Sequence, residues 1–308
     1  MKSWVTKLSF FKYLRRGVIL VIPVIICSAN FAQDKPDKRL QKKIQELVSG
    51  FEGEVGIFVK CLRTGKTANV NADTIFPTAS MIKIPILIGV MDKIQKGELN
   101  YQQTIIYRDS LLYPGEDLLG SVKQDEKIVL GKIIMLMLTL SDNTASLWLQ
   151  SLAGTGTHIN ELMDNLGLKN TRVNSRTPGR ATNQSLYGWG QTTPREMCLL
   201  MEKIYKGEVI NKHASSMMLR LLGRNFYDEY ALSAIPPYIF VASKNGAVNQ
   251  SRSETLLVMS PNGPYIFSII TKNQKDQSWD ASNAGWVMAS RLSALLWNYF
   301  GPGSKPVK

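Results

Sequence analysis

Apolar residues recur along the 308-residue chain in several rhythms. Over residues 40–51 they return every three or four positions and stop before Gly53, which predicts a helix. Residues 54–60 and 66–71 alternate around Thr64-Gly65, the pattern of a β-hairpin. A proline turn at Pro77 leads into Ile84, Ile86, Leu87, Val90 and Met91, spaced for a helix that ends near Gly97. Residues 100–230 are mostly helical in pattern. Within them, residues 130–140 are almost continuously apolar but too few to span a membrane, which predicts a buried helix followed by another over 144–153. Residues 171–192 lose all periodicity and predict a long irregular loop. Thr193-Pro194-Arg195-Glu196 then supplies a helix cap, a first-position proline and a first-turn acid. Strand patterns follow at 239–243, 254–260 and 265–272, with a turn at Pro261-Asn262-Gly263, and residues 281–300 read as an amphipathic helix. The order predicts an α/β (α+β) fold: an antiparallel five-stranded sheet flanked by terminal helices, with an all-helical domain inserted.

Charge changes the picture at the start of the chain. Five basic residues (Lys2, Lys7, Lys12, Arg15, Arg16) and no acid precede an apolar run over 18–27, the build of a signal peptide covering residues 1–32. Export to the periplasm or the medium is therefore expected. An uncleaved anchor is the alternative, and bulky Ile26 disfavours lipid attachment at Cys27. Residues 33–39 read as a linker, 40–300 as the folded domain and 301–308 as a disordered tail. Removing the leader lowers the net charge from +13 to +8. No Lys/Arg block with interleaved aromatics is present, so nucleic acid is not the expected partner. No stable membrane association is expected once the leader is gone, and the folded chain is expected to be a monomer. Cys61 and Cys198 alone make no disulfide framework, and nothing has metal-ligand spacing. No cofactor is implied. His158 and His213 lie in polar surroundings and read as surface residues, which leaves a Ser-His-Asp triad without a candidate base.

The chemistry resides in three short motifs. Ser80-x-x-Lys83 places a hydroxyl and an amine on one helical face. A desolvated lysine close to another cation loses its proton readily and can then activate a serine. Ser141-Asp142-Asn143 follows the apolar helix, and Lys244-Asn245-Gly246 ends a strand. Ser80, Lys83 and Ser141 can serve as nucleophile, proton acceptor and proton donor without histidine.

In this order the three motifs resemble the S-x-x-K, S-D-N and K-T-G set of class A β-lactamases and penicillin-binding proteins. The resemblance extends over residues 40–300. It implies that Ser80 attacks a β-lactam or peptidoglycan-like acyl carbonyl, that Lys83 deprotonates it, and that Ser141 relays a proton to the leaving nitrogen. Asn143 would bind Lys83 and the substrate amide, Lys244 and Arg252 would face the substrate carboxylate, and the N–H groups of Ser80 and Ala247 would form an oxyanion hole. Asp142 is expected to turn away and tie its loop together.

Two departures from the family stand out. Asn245 replaces a Thr or Ser. The loop that carries the family's water-activating glutamate has no acid between residues 171 and 195, with Thr177 about where the glutamate would be. Glu116 and Asp117 are the nearest substitutes, although the pair also suits a helix cap. The resemblance thus implies a serine β-lactamase whose deacylation is in question. The alternatives are a D-Ala-D-Ala peptidase or esterase of the penicillin-binding-protein type, and a β-lactam-binding module without turnover.

Overall fold

The structure, a computed structural model, describes residues 35–113, 115 and 117–301. The expected leader, Cys27, Glu116 and nearly all of the expected tail lie outside the described residues. Lys35–Pro36 (β1) leads into Lys38–Val48 (α1), whose first turn is capped by Asp37 accepting from Leu40 N at 3.1 Å. Glu54–Cys61 (β2) and Lys66–Val70 (β3) form the predicted hairpin. Phe76–Pro77 (β4) opens into a 3-10 turn over Ala79–Ile82, and Lys83–Gln95 (α2) continues from it. Ser80 therefore sits on the turn before the α-helix, not inside its first turn as expected.

The helical lobe follows. Thr104–Ile106 (β5) pairs with Lys127–Val129 (β6), which runs into Leu130–Thr139 (α3). Asn143–Leu152 (α4) and Thr155–Asn165 (α5) come next. The stretch predicted as an irregular loop contains Arg172–Val173 (β7), Ala181–Tyr187 (α6) and Gly190–Thr192 (β8). No residue of α6 is buried, so it leaves no apolar stripe in the sequence. Thr193 caps Pro194–Lys206 (α7) as predicted, and Lys212–Leu222 (α8) completes the lobe.

The chain returns through Val241–Val248 (β9), Ser251–Val258 (β10) and Tyr265–Lys272 (β11) and ends in Ala284–Phe300 (α9). The strand order is β1-β3-β2-β11-β10-β9, antiparallel except where β1 joins β3. The sheet has six strands, one more than predicted. The extra strand comes from the expected linker: Lys35 N and Asp37 N bond Gly65 O and Thr67 O, and Pro36 is tolerated because it lies on the sheet edge. β9 also runs beyond its predicted end, through Lys244 to Val248. Pairing of Lys244, Asn245 and Gly246 with Thr255, Glu254 and Ser253 outweighs their weak strand propensity.

Both sheet faces are covered, so every residue of β10, polar ones included, and all of β11 but its last residue are buried. Successive residues go to opposite cores. Leu256 joins Leu40, Ile44, Phe267, Trp286 and Leu292 beneath α1 and α9. Leu257 joins Ile84, Leu87, Met137, Leu149 and Met197 in the helical lobe. The predicted sheet, terminal helices and helical insertion are thus all present.

Gly56 fixes how closely the sheet meets the segment before Ser80. A Cβ there would lie 2.4 Å from the Phe76 ring and 2.7 Å from Pro194 Cγ. Gly56→Ala is expected to lower stability by about 1–3 kcal/mol through overpacking. Thermal unfolding of the purified variant measures this as a lower midpoint.

Candidate active site

Lys83 opens α2 with its side chain completely buried. Its Nζ donates to Asn143 Oδ1 at 2.8 Å, to Ser141 Oγ at 3.1 Å and to the Ser141 carbonyl. All three hydrogens of the ammonium are thus matched from one loop. Loss of water pushes the Lys83 amine down to about 7, against the opposing fields of Asp117 and Asp142. Ser80 is half-buried, and its hydroxyl makes no hydrogen bond to any described residue.

The loop over 140–143 is rigidly supported. Ser141 adopts φ +60°, a left-handed conformation that a side chain seldom takes. Asp142 turns inward, accepting from Ala145 N at 2.7 Å and from Leu119 N at 2.8 Å. Asp117 accepts from Asn143 N at 3.0 Å, and its other oxygen from Thr144 N at 2.8 Å and Thr144 Oγ1 at 2.9 Å. It therefore caps α4, and both of its oxygens are engaged. Tyr227 Oη donates to Leu140 O at 3.2 Å and braces the loop from the far side.

β9 completes the site from the sheet edge. A Cβ on Gly246 would stand 2.5 Å from Ser80 N and 2.9 Å from Thr78 O, so only glycine lets the strand run beside the turn that carries Ser80. Ser253 Oγ, across from Gly246, donates to Thr78 O at 2.9 Å. Ala79, just before Ser80, is also left-handed at φ +45°. Lys244 is fully buried and donates to Asn245 O at 2.8 Å and Asn245 Oδ1 at 3.3 Å. Burial, together with the charge of Lys83, holds its amine well below the ordinary lysine range. Asn245 is also bonded by Asn225 Nδ2 at 3.5 Å. The structure thus brings Ser80, Lys83, Ser141, Asn143, Lys244, Asn245 and Gly246 together, while the Ala247 side chain packs on the α1 and α9 side of the sheet. A groove of about 870 Å³ opens beside Pro77, between α6 and the β9–β10 turn, with Leu186, Val248 and Trp279 on its walls.

Arg252 is not part of this group, which corrects the expectation that it faces the substrate carboxylate. Ser253 faces the helical lobe, so alternation turns Arg252 to the α9 side. Its guanidinium bonds the carbonyls of Val248, Ser251 and Ser278 and stacks 4.9 Å from the Trp279 ring and 5.7 Å from that of Trp286. His158 is partly exposed. Its Nε2 lies 2.9 Å from Asp92 Oδ2, so it joins α5 to α2, whereas His213 is exposed.

The loop over 171–192 is held without any acid of its own. Arg180 bonds Asn174 Oδ1 and Gln191 Oε1, each at 2.8 Å through Nη2. Glu196 closes the neck, accepting from Asn170 N and Nδ2 and from Thr171 N and Oγ1 at 2.7–3.0 Å. Thr177 Oγ1 donates to Ser175 O at 2.9 Å and packs against α5, where a Cβ on Gly156 would overlap it at 1.8 Å. The hydroxyl at this position is therefore committed to the loop and helix.

A sequence profile described as the beta-lactamase enzyme family matches residues 39–300. The chain belongs to that family. β-Lactamase AER-1 of Aeromonas hydrophila is 26% identical over 292 residues, covering 93% of this chain and 94% of that protein. Among solved structures, PBP-A is 26% identical at a TM-score of 0.77, covering 87% of this chain and 97% of its own. A mutant of PBP-A, solved as an acyl-enzyme complex with penicillin G, superposes equally well. A β-lactamase from Sphaerobacter thermophilus shares the fold at 22% identity and a TM-score of 0.75, covering 84% of this chain and 97% of its own.

Reading the family motifs alone misses Asp117 and Glu254. Asp117 had a signal as a possible cap. Glu254 had no such signal, since it opens the predicted strand over 254–260 between Ser253 and Thr255. It is fully buried, with Oε2 accepting from Ala231 N at 3.0 Å and Oε1 without a partner among the described residues. Burial raises its carboxyl to about 8, against the pull of Lys244. The folded chain thus holds a proton that the unfolded chain releases near the model-compound value of 4.5. This contribution is fully present at low pH and is lost as pH rises towards about 8. Glu254→Gln should flatten the decline in stability across that window, as followed by denaturant melts at a series of pH values.

Proposed function

We propose that this chain is an exported serine hydrolase of the β-lactamase type, acylated at Ser80 by a β-lactam or a related acyl compound. The observation that carries the reading is Lys83, dehydrated, poised near pH 7 and hydrogen-bonded to Ser141 and Asn143. Neutral Lys83 takes the Ser80 proton as Oγ attacks the carbonyl. The Ser141 hydroxyl passes a proton from Lys83 to the leaving nitrogen as the ring C–N bond breaks. Ser80 N and Ala247 N receive the oxyanion, and removing one such donor typically costs about 3 kcal/mol of barrier. Lys244 offers its amine to the substrate carboxylate. The open groove beside Pro77 takes the acyl side chain.

Water must then free the ester. Asp117 and Glu196 are saturated by hydrogen bonds, Asp142 is sealed beneath its loop, and Thr177 is no base. Among the described residues these leave no free carboxylate to act as the base, and deacylation on that reading is slow by the roughly 10²–10⁴-fold that loss of a general base costs. The same feature favours a second reading, a D-Ala-D-Ala peptidase or esterase of the penicillin-binding-protein type, whose acyl group passes to another acceptor.

Mass spectrometry of the mature chain with a penicillin and a chromogenic cephalosporin separates these. An adduct on Ser80 that persists for many minutes is expected, and Ser80→Ala should abolish it. Rapid turnover with no adduct would instead point to a deacylating base. Absence of both adduct and turnover would remove the enzyme readings. Acylation needs the neutral amine, so its rate should rise with pH through about 7 and level above it. Lys83→Arg should lower the rate by about 10²–10⁴-fold. Stopped-flow acylation across pH measures both.

A further inference from the structure

The helical lobe carries a second concavity, separate from the cleft. It is a groove of about 460 Å³ between β6, the turn over Leu119–Ser121 and the outer face of α3. Small-molecule sites occupy roughly 300–1,000 Å³. Leu119, Val122, Ile128, Leu136 and Leu140 form its walls, and Met135 stands at its mouth, 36% exposed. Ile106, across the β5–β6 pair from Lys127, and Leu118, next to Leu119, are also exposed. Contiguous apolar surface of this kind marks a binding surface more often than scattered single residues do.

The rim supplies the polarity of the ligand. Lys127 crosses from Ile106 in the β5–β6 pair, and Lys132 lies one helical turn before Met135. Neither ammonium has an ion-pair partner among the described residues, and neither has Glu126, the single acid on the rim. Two unpaired cations against one acid, above an apolar slot, complement a negative head on a hydrocarbon chain.

The walls are also partners of the catalytic loop. Leu119 N donates to Asp142 Oδ2 at 2.8 Å, Asp142 N donates to Leu136 O at 3.2 Å, and Leu140 directly precedes Ser141. An occupant would therefore press on the residues that hold Ser141 and Asn143 against Lys83.

We propose that this groove binds one single-chain anionic amphiphile, a fatty-acid carboxylate, with its chain along Val122, Ile128 and Leu136 and its head between Lys127 and Lys132. The inference concerns a site outside the cleft and holds whether or not Ser80 turns over.

Calorimetric titration of the mature chain with monomeric dodecanoate tests it. One saturable site is expected, with affinity falling about fourfold for each methylene removed in decanoate and octanoate. Met135→Glu should weaken binding at least tenfold with unchanged circular dichroism. Lys127→Gln with Lys132→Gln should weaken dodecanoate but strengthen a dodecyl trimethylammonium ion. Three outcomes would overturn the proposal. These are no saturation below the micellar concentration, equal affinity for the cationic amphiphile in the unaltered chain, and dodecanoate binding untouched by Met135→Glu. Binding only to lipid vesicles, with none to the monomer, would also overturn it and point to a membrane-docking face.

Discussion

A lysine amine stripped of water is the constraint on which this structure depends. Burying an ammonium is costly unless its hydrogens are all matched, and the charged form gives way as the surroundings dry. Lys83 meets this limit with three acceptors drawn from residues 141 and 143. Two carboxylates lie close enough to raise its proton affinity, yet backbone N–H groups occupy them. They brace the loop and leave Lys83 near neutrality. A free carboxylate in either place would pair with the ammonium and hold the proton on it.

Serving that lysine requires two lobes to meet closely. The helical lobe brings Ser141 and Asn143 on a left-handed turn. The sheet brings Gly246 so near to Ser80 N that any side chain would collide. Left-handed backbone at Ala79 and Ser141 costs about 1–3 kcal/mol each where surrounding packing does not relieve it. Here apolar cores on both faces of the sheet, and the bond from Ser253 to Thr78 O, hold the strained turns in place. The same pleat that sets the buried Lys244 towards Lys83 turns Arg252 away, where two tryptophans and three carbonyls enclose it.

The loop over 171–192 keeps its order without an acid of its own. Amides and a guanidinium carry the internal links, and Glu196 clamps the neck from outside the loop. Order in the loop is thus independent of a water-activating acid.

The sequence by itself determined the order of the main elements, the sheet with its terminal helices, the helical insertion and the three motifs. Each of these is written in short-range terms: periodicity, caps such as Thr193, turns such as Thr64-Gly65, and fixed spacings. It also showed that the loop has no acid. Only the tertiary structure decided where side chains go when distant segments compete for them. Arg252 followed the pleat of a register set by β9, and Asp117 was taken by α4, far from it in sequence. Helix α6 formed without an apolar stripe, and β1 joined the sheet through two residues that read as linker. Glu254 became a buried proton carrier because both faces of the sheet are covered. Desolvation and register are sums over the whole fold, and no local window of residues contains them.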